Sequence, residues 1–180
     1  MSATSHSSER AEAFEAVFRR HVRAVRAYAL RRTSPEDAAD VVAETFTVAW
    51  RRWDDVPAEP LPWLLGIARK VLANARRSAS RADALAVRAA AEPEPAAPEL
   101  AEAVTGAAGI RAALGRLSAG DRETLMLVAW DGLGPAAAAR AAGCSRPTFA
   151  VRLHRARARL SAELAALDSP SVPSASEVIA

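Results

Sequence analysis

The chain has 180 residues, 51% of them hydrophobic, and a net charge of only +3. Its single cysteine, Cys144, excludes an intramolecular disulfide, and three scattered histidines predict no metal or cofactor site. No stretch reaches the roughly 18 apolar residues of a membrane span, and no apolar signal core opens the chain. We therefore expect a soluble cytoplasmic protein.

Alanine and leucine make up most of the apolar residues, whereas β-branched and aromatic residues are few. Ala and Leu lose little on entering a helix, and no run of alternating apolar residues is present, so the composition predicts an all-α fold. The charge is uneven, at about +4 over residues 1–81, about −4 over 82–104 and about +5 over 105–167. Two basic stretches around an acidic one suggest two surfaces that face polyanions.

Three helices are predicted in a first domain, residues 9–81. An apolar stripe at three- and four-residue steps predicts a helix over 9–32. Ser34 and Pro35 predict the next helix start, because serine caps free amides and proline suits the first helical position. Closely spaced prolines then break the chain, and a third, strongly basic helix is predicted over 62–81.

The next stretch, 82–104, is dominated by Ala, Glu and Pro and predicts a flexible linker. A second helical domain is expected over 105–167, followed by a disordered tail, 168–180, rich in Ser and Pro. The sequence thus predicts two small helical domains joined by a flexible linker.

The second domain contains a helix-turn-helix pattern. A short helix over 135–142, a turn at Gly143 and a longer helix from Ser145 follow one another. The second helix of such a motif enters the major groove, and arginine can donate two bonds to a guanine edge or a phosphate. The predicted DNA contacts are Arg146, Thr148, Arg152 and Arg155.

Four motifs resemble those of extracytoplasmic-function sigma factors, in the family's order. Residues 145–160, SRPTFAVRLHRARARL, resemble the end of the family's promoter-binding domain, and 117–123, LSAGDRE, resemble its opening. Upstream, 35–46, PEDAADVVAETF, resembles the polymerase-binding helix, and 62–72, PWLLGIARKVL, resembles the helix beside the −10 element.

The resemblance implies an RNA polymerase sigma factor that directs promoter-specific initiation and is not an enzyme. Its implied partners are core RNA polymerase, promoter DNA and an anti-sigma factor, with no small-molecule substrate. The helix-turn-helix would read the −35 element. The implied polymerase-binding residues are Asp40, Val41, Glu44 and Trp50, and the implied −10 DNA-binding residues are Arg69, Lys70, Arg76 and Arg77.

The first helix of the helix-turn-helix departs from the family pattern. Ala137 and Ala138 stand where Glu and a bulky aliphatic residue are usual, and Ala142 stands where Leu is common. Each missing buried methylene gives up about 0.8 kcal/mol, which predicts a marginally stable second domain and weak −35 binding. Two alternatives stay open: a stand-alone helix-turn-helix regulator, and a degenerate sigma-like competitor.

Overall fold

The computed structural model describes the backbone of residues 2–87 and 105–168. In these two ranges the chain forms seven α-helices and a short 3-10 turn, Trp53–Asp55, with no strand. The first range holds α1 (Ser2–Leu30), α2 (Pro35–Arg51) and α3 (Pro60–Val87). The second range holds α4 (Thr105–Arg116), α5 (Ala119–Ala129), α6 (Pro135–Ala142) and α7 (Arg146–Asp168). The predicted all-α fold is confirmed.

Two helices extend beyond their predicted ends. The first begins at Ser2 rather than near residue 9, and no glycine or proline in that stretch opposes it. The third continues to Val87, into the predicted linker, because this part of the linker is rich in alanine and its first proline is Pro93. The remaining linker, 88–104, and the tail, 169–180, lie outside the described residues.

Serine caps start two of the helices, and the sequence predicts the one at Ser34. The Ser34 hydroxyl accepts a hydrogen bond from the Asp37 amide at 3.2 Å, and Pro35 occupies the first helical position. The Ser118 hydroxyl accepts from the Asp121 amide at 3.1 Å at the start of α5. Each bond satisfies an amide that the helix itself leaves without a partner.

The helix-turn-helix is formed by α6, α7 and the turn between them. Gly143 adopts a left-handed conformation with φ of 68°. Its amide donates to Arg140 O and the next amide, of Cys144, donates to Ala139 O, which is a Schellman ending. The Ser145 hydroxyl then caps α7 by accepting from the Thr148 amide. The turn therefore fixes the angle at which α7 leaves α6.

The two domains pack against each other. Helix α6 lies along α3, and the carboxyl end of α1 contacts α5 and the α5–α6 turn. We call this contact the domain interface. Buried side chains of both domains form one continuous cluster, from Tyr28 and Leu64 in the first domain to Leu127 and Phe149 in the second. Phe149, Leu153 and Ala156 are buried and form the core face of α7.

Candidate functional site

The exposed side of α7 carries the residues predicted to read DNA. Thr148, Arg152 and Arg155 recur at steps of four and three residues, which places them on one side of the helix. Arg146 lies in the first turn, away from this stripe. All four are exposed, and the three arginines have no protein partner within the described ranges. The structure thus leaves their guanidinium groups free for a ligand.

Val151 belongs to the same exposed surface, although the sequence analysis did not select it. Its side chain is 51% exposed. An exposed valine among arginines on a recognition helix suits the methyl group of thymine in the major groove. The signal was present in the sequence, because Val151 lies three residues after Thr148 and outside the buried stripe.

A polar network holds α7 against the start of α5. Asp121 is buried and accepts hydrogen bonds from the Ser118 hydroxyl at 2.7 Å and from the Arg159 guanidinium. The hydrogen bond from Ser118 is the largest influence that lowers the pKa of Asp121, and the hydrogen bond and charge of Arg159 add to it against the effect of burial. Arg159 therefore positions α7 rather than facing a ligand.

The four residues predicted for −10 DNA occupy two sides of α3. Lys70 and Arg77 are exposed, one helical repeat of seven residues apart. Arg69 and Arg76 share the neighbouring side, which faces the domain interface. Arg69 donates to Ala141 O at 3.1 Å and Arg76 donates to Arg32 O at 2.8 Å. The structure therefore does not bring the four cations together on one free surface.

A groove runs between α2 and α3 beside Lys70. It has a volume of about 390 Å³ and is lined by Glu44, Val48, Arg52, Ile67, Lys70, Val71 and Asn74. Arg52 adds a cation that the sequence analysis missed, because it lies at the end of α2, away from the basic stretch of α3. Its guanidinium also donates to Asp55 at 2.9 Å.

The exposed side of α2 carries only part of the predicted polymerase-binding set. Asp40 and Glu44 are exposed and lie one turn apart. Trp50 is 39% exposed, and its ring meets the edge of Phe14 at 5.1 Å. Val41 is only 3% exposed, so it belongs to the core and offers a partner almost no surface. Val41 was therefore wrongly predicted to bind polymerase. It lies three residues after the buried Ala38, on the same side of α2.

Neither a metal centre nor a membrane span is found in the part of the chain that the structure describes. Ranges 2–87 and 105–168 hold no group of three or more His, Cys, Asp or Glu side chains placed to bind an ion. None of the helices in these ranges combines the length and the hydropathy of a membrane-spanning segment.

Comparison with known protein families gives two matches. The Sigma-70 region 2 family matches residues 17–82, and the Sigma-70 region 4 family matches residues 108–160. The first match covers about half of α1, all of α2 and most of α3. The second covers all of α5 and α6 and most of α4 and α7. All three sets of candidate residues lie inside these matches.

Two characterised proteins are similar over most of the chain. RNA polymerase sigma factor NccH of Alcaligenes xylosoxydans is 33% identical over 165 residues, 84% of this chain and 87% of that protein. RNA polymerase sigma factor CnrH of Cupriavidus metallidurans is 31% identical over 140 residues, 71% of this chain and 73% of that protein.

Two solved structures share the fold. Sigma factor RpoE of Bartonella quintana, in complex with the anti-sigma factor NepR, superposes with a TM-score of 0.66 at 27% identity. The match covers 88% of this chain and 99% of that one. CnrH in complex with the cytosolic domain of CnrY gives a TM-score of 0.58 at 29% identity, covering 88% of this chain and 90% of that one.

Proposed function

Because this chain belongs to the sigma-70 family, as an RNA polymerase sigma factor of the extracytoplasmic-function group, we propose how its residues divide the work of promoter recognition. The first domain, residues 9–81 together with the rest of α3, binds core polymerase and the −10 element. The second domain, 105–167, reads the −35 element. The observation that carries the proposal is the exposed, unpaired arginine surface of α7 on a region 4 helix-turn-helix.

At the −35 element, α7 enters the major groove with the side that carries Thr148, Arg152 and Arg155. The two arginines contact base edges or the adjacent phosphates, and Val151 packs on a thymine methyl group. Arg146 contacts the backbone near the helix start, where the free amides of α7 also favour phosphate. The network around Asp121 keeps α7 at a fixed angle to the rest of the domain.

At the −10 element, Lys70 and Arg77 hold the strand backbone along α3, and Arg52 adds a third cation across the groove between α2 and α3. Arg69 joins them only when the domains separate, because it now donates to Ala141 O of the second domain. Arg76 donates to Arg32 O within the first domain. Binding through cations to phosphates weakens with salt, as counterions return to the DNA.

Core polymerase contacts the exposed side of α2. Asp40 and Glu44 supply negative charge there, and the exposed part of Trp50 supplies apolar area. Val41 is not part of this surface, since its side chain is buried.

The chain acts in the cytoplasm, where core polymerase lies, and it is a specificity subunit without chemistry of its own. An anti-sigma factor is a further partner. The support for this partner is that RpoE and CnrH, which share the fold, were solved with NepR and with the cytosolic domain of CnrY.

The experiment that tests the division of roles is holoenzyme assembly, measured by co-elution of the chain with purified core polymerase. Asp40→Ala with Glu44→Ala should weaken assembly and leave the helical circular dichroism unchanged. Glu12→Ala with Glu15→Ala, which removes the same charge from an exposed part of α1, serves as the control. Wild-type assembly by the α2 double variant would contradict the proposed polymerase surface. A stand-alone regulator would fail to co-elute in every form.

A further inference from the structure

The first half of α1 packs against the end of α2 and the 3-10 turn that follows it. Arg10 and Phe14 make these contacts, and both precede residue 17, where the region 2 family match begins. The two residues are four positions apart, so they lie on one side of the helix. That side faces the place where α2 ends and the chain turns toward α3.

Arg10 joins the end of α2 to the 3-10 turn. Its Nη2 atom donates to Trp50 O at 3.0 Å, and its guanidinium lies over the Trp50 ring, 5.0 Å from the ring centre. Its Nη1 atom lies 3.6 Å from a carboxylate oxygen of Asp54 in the turn. An exposed ion pair is weak by itself, so the carbonyl and ring contacts contribute most. The planar guanidinium makes all of these contacts at once, which a lysine ammonium cannot do.

Phe14 supports the same turn through its ring. The ring meets the edge of Trp50 at 5.1 Å and of Trp53 at 5.4 Å, with interplanar angles of 74° and 73°. Edge-to-face aromatic pairs at these separations stabilise a structure beyond the effect of burial alone. Because Trp53 is the first residue of the 3-10 turn, Phe14 fixes the position at which the turn begins.

The 3-10 turn holds the side chain of Arg52. The Asp55 amide donates to Arg52 O at 3.0 Å, and the Val56 amide donates to Trp53 O at 3.0 Å. These bonds bring the Asp55 carboxylate back toward Arg52, whose Nε and Nη2 atoms donate to one of its oxygens at 3.0 and 2.9 Å. Arginine loses much rotamer freedom when it binds a ligand, so a guanidinium that is already held binds at a smaller entropic cost.

Asp55 holds Arg52 without using all of its donors. The Nη1 atom of Arg52 has no protein partner within residues 2–87 and 105–168, and the side chain is 50% exposed. Arg52 lines the groove between α2 and α3 together with Lys70. A phosphate in this groove can therefore meet two cations, one from each side.

We propose that Arg10 and Phe14 are positioning residues for −10 DNA, which act through the 3-10 turn to hold Arg52 at the groove. We call this pair the brace. The inference rests on the proposed contact between Arg52 and the −10 strand, and it extends that contact to a part of α1 outside the family match. The brace itself does not touch DNA, so its effect on binding depends on Arg52.

The brace is tested in the full chain with variants that keep the net charge. The brace variant combines Arg10→Lys with Phe14→Leu, and the control combines Arg23→Lys with Phe18→Leu. Arg23 is exposed on α1, and the Phe18 ring packs against Phe46 at 4.7 Å. The control therefore removes one arginine and one aromatic pair from the same helix, away from the 3-10 turn.

Amide hydrogen exchange measured by NMR reports on the turn without DNA. The Asp55 and Val56 amides should exchange roughly two- to tenfold faster in the brace variant, the range expected for loss of an aromatic pair. The control should exchange as the wild type does at both amides. Unchanged exchange in the brace variant would overturn the proposal. If the double variant does not fold, Arg10→Lys alone gives the same readout, since that side chain is already 35% exposed.

Binding to a random-sequence single-stranded DNA of about 20 nucleotides, long enough for one site, separates positioning from direct contact. Arg52→Ala should make the slope of log affinity against log salt shallower by about 0.7, the value for one phosphate contact on a single strand. The brace variant should make the slope shallower by up to the same amount, although it removes no charge. It should add nothing in an Arg52→Ala background, because coupled residues are not additive. The control should bind as the wild type does.

The inference and the proposed function fail in different ways. If Arg52→Ala leaves the slope unchanged, the proposed −10 contact at the groove is wrong, and the brace has no role in DNA binding either. If Arg52→Ala has its effect but the brace variant has none, only the inference is wrong. Effects of the brace variant and Arg52→Ala that add would equally show that Arg10 and Phe14 do not act through Arg52.

Discussion

Helices α3 and α7 both present arginines to the outside of their domains, but they use them differently. On α7, Arg146, Arg152 and Arg155 have no protein partner within the described ranges. On α3, Arg69 and Arg76 donate to carbonyl oxygens at the domain interface. The same residue type is therefore a free ligand-binding group in one helix and a structural contact in the other. A basic stretch in the sequence predicts a polyanion surface only where the fold leaves the cations unpaired.

The largest expected effect is on the free energy of unfolding, which should fall when an arginine of the domain interface is removed but not when an exposed arginine of α7 is removed. Arg32→Ala leaves buried carboxylates short of a counter-charge at the domain interface, which costs up to about 3–5 kcal/mol. Urea unfolding followed by circular dichroism should show an earlier transition, or two transitions as the domains uncouple. Arg152→Ala is the control and should unfold as the wild type does. Identical unfolding curves for the wild type, Arg32→Ala and Arg152→Ala would contradict a structural role for Arg32.

The free arginines of α7 should instead affect DNA affinity. Arg152→Ala and Arg155→Ala should each weaken duplex −35 binding by about 1–3 kcal/mol and relax sequence preference, because each removes a base contact. Arg157→Ala removes the same charge from another exposed part of α7. It should weaken binding to all DNA sequences about equally. Gel-shift titrations against matched and mismatched duplexes measure this. Affinities unchanged within error would refute the base-reading assignment.

The support beneath α7 gives a smaller, pH-dependent effect. Ser118→Ala should cost about 1 kcal/mol through loss of the helix cap. It should also raise the pKa of Asp121, since the hydrogen bond from Ser118 is the main cause of its low value. A carboxyl whose folded pKa is depressed stabilises the fold above its ordinary pKa and loses that effect as pH falls through the folded value. The difference in urea midpoint between the wild type and Ser118→Ala should therefore be larger at pH 7 than in strong acid, where only the loss of the cap on the Asp121 amide remains. A difference of the same size at both pH values would show that the pKa of Asp121 contributes nothing to it.

The smallest expected effect is on the salt dependence of DNA binding, which should differ between variants on the two sides of α3. Lys70→Ala should make the salt dependence of single-stranded DNA binding shallower by about 0.7, the value for one phosphate contact. Arg69→Ala removes a cation that already donates to Ala141 O, so it should leave the salt dependence of binding unchanged. Equal changes in the two variants would show that both sides of α3 face DNA while the two domains are packed together.

Local signals in the sequence predicted much of the fold. Ser34 and Gly143 predicted correct helix ends, because caps and left-handed turns depend on neighbouring residues. The exposed arginines of α7 followed from helical period alone. Val41 could have been excluded by the same period, since it lies on the side of α2 that includes Ala38.

The domain interface could not be predicted in this way. The hydrogen bond from Arg32 to Asp131 joins residues 99 positions apart, and no local pattern encodes such a contact. For the same reason the alanines of α6 indicated a thin core when the sequence was considered by itself. In the folded chain the backbone of Ala141 lies close to Gly66 of α3, so α6 also packs against the first domain. The predicted weakness of the second domain remains a prediction that unfolding measurements can test.

The most direct test of the sigma role is transcription by core polymerase on fragmented genomic DNA, with sequencing of the RNA 5′ ends. Adding the chain should create new start sites that share one pair of upstream elements, at spacings near −10 and −35. Arg152→Ala should change which −35 sequences are used while the −10 element stays the same. Start sites that are identical with and without the chain would contradict the assignment.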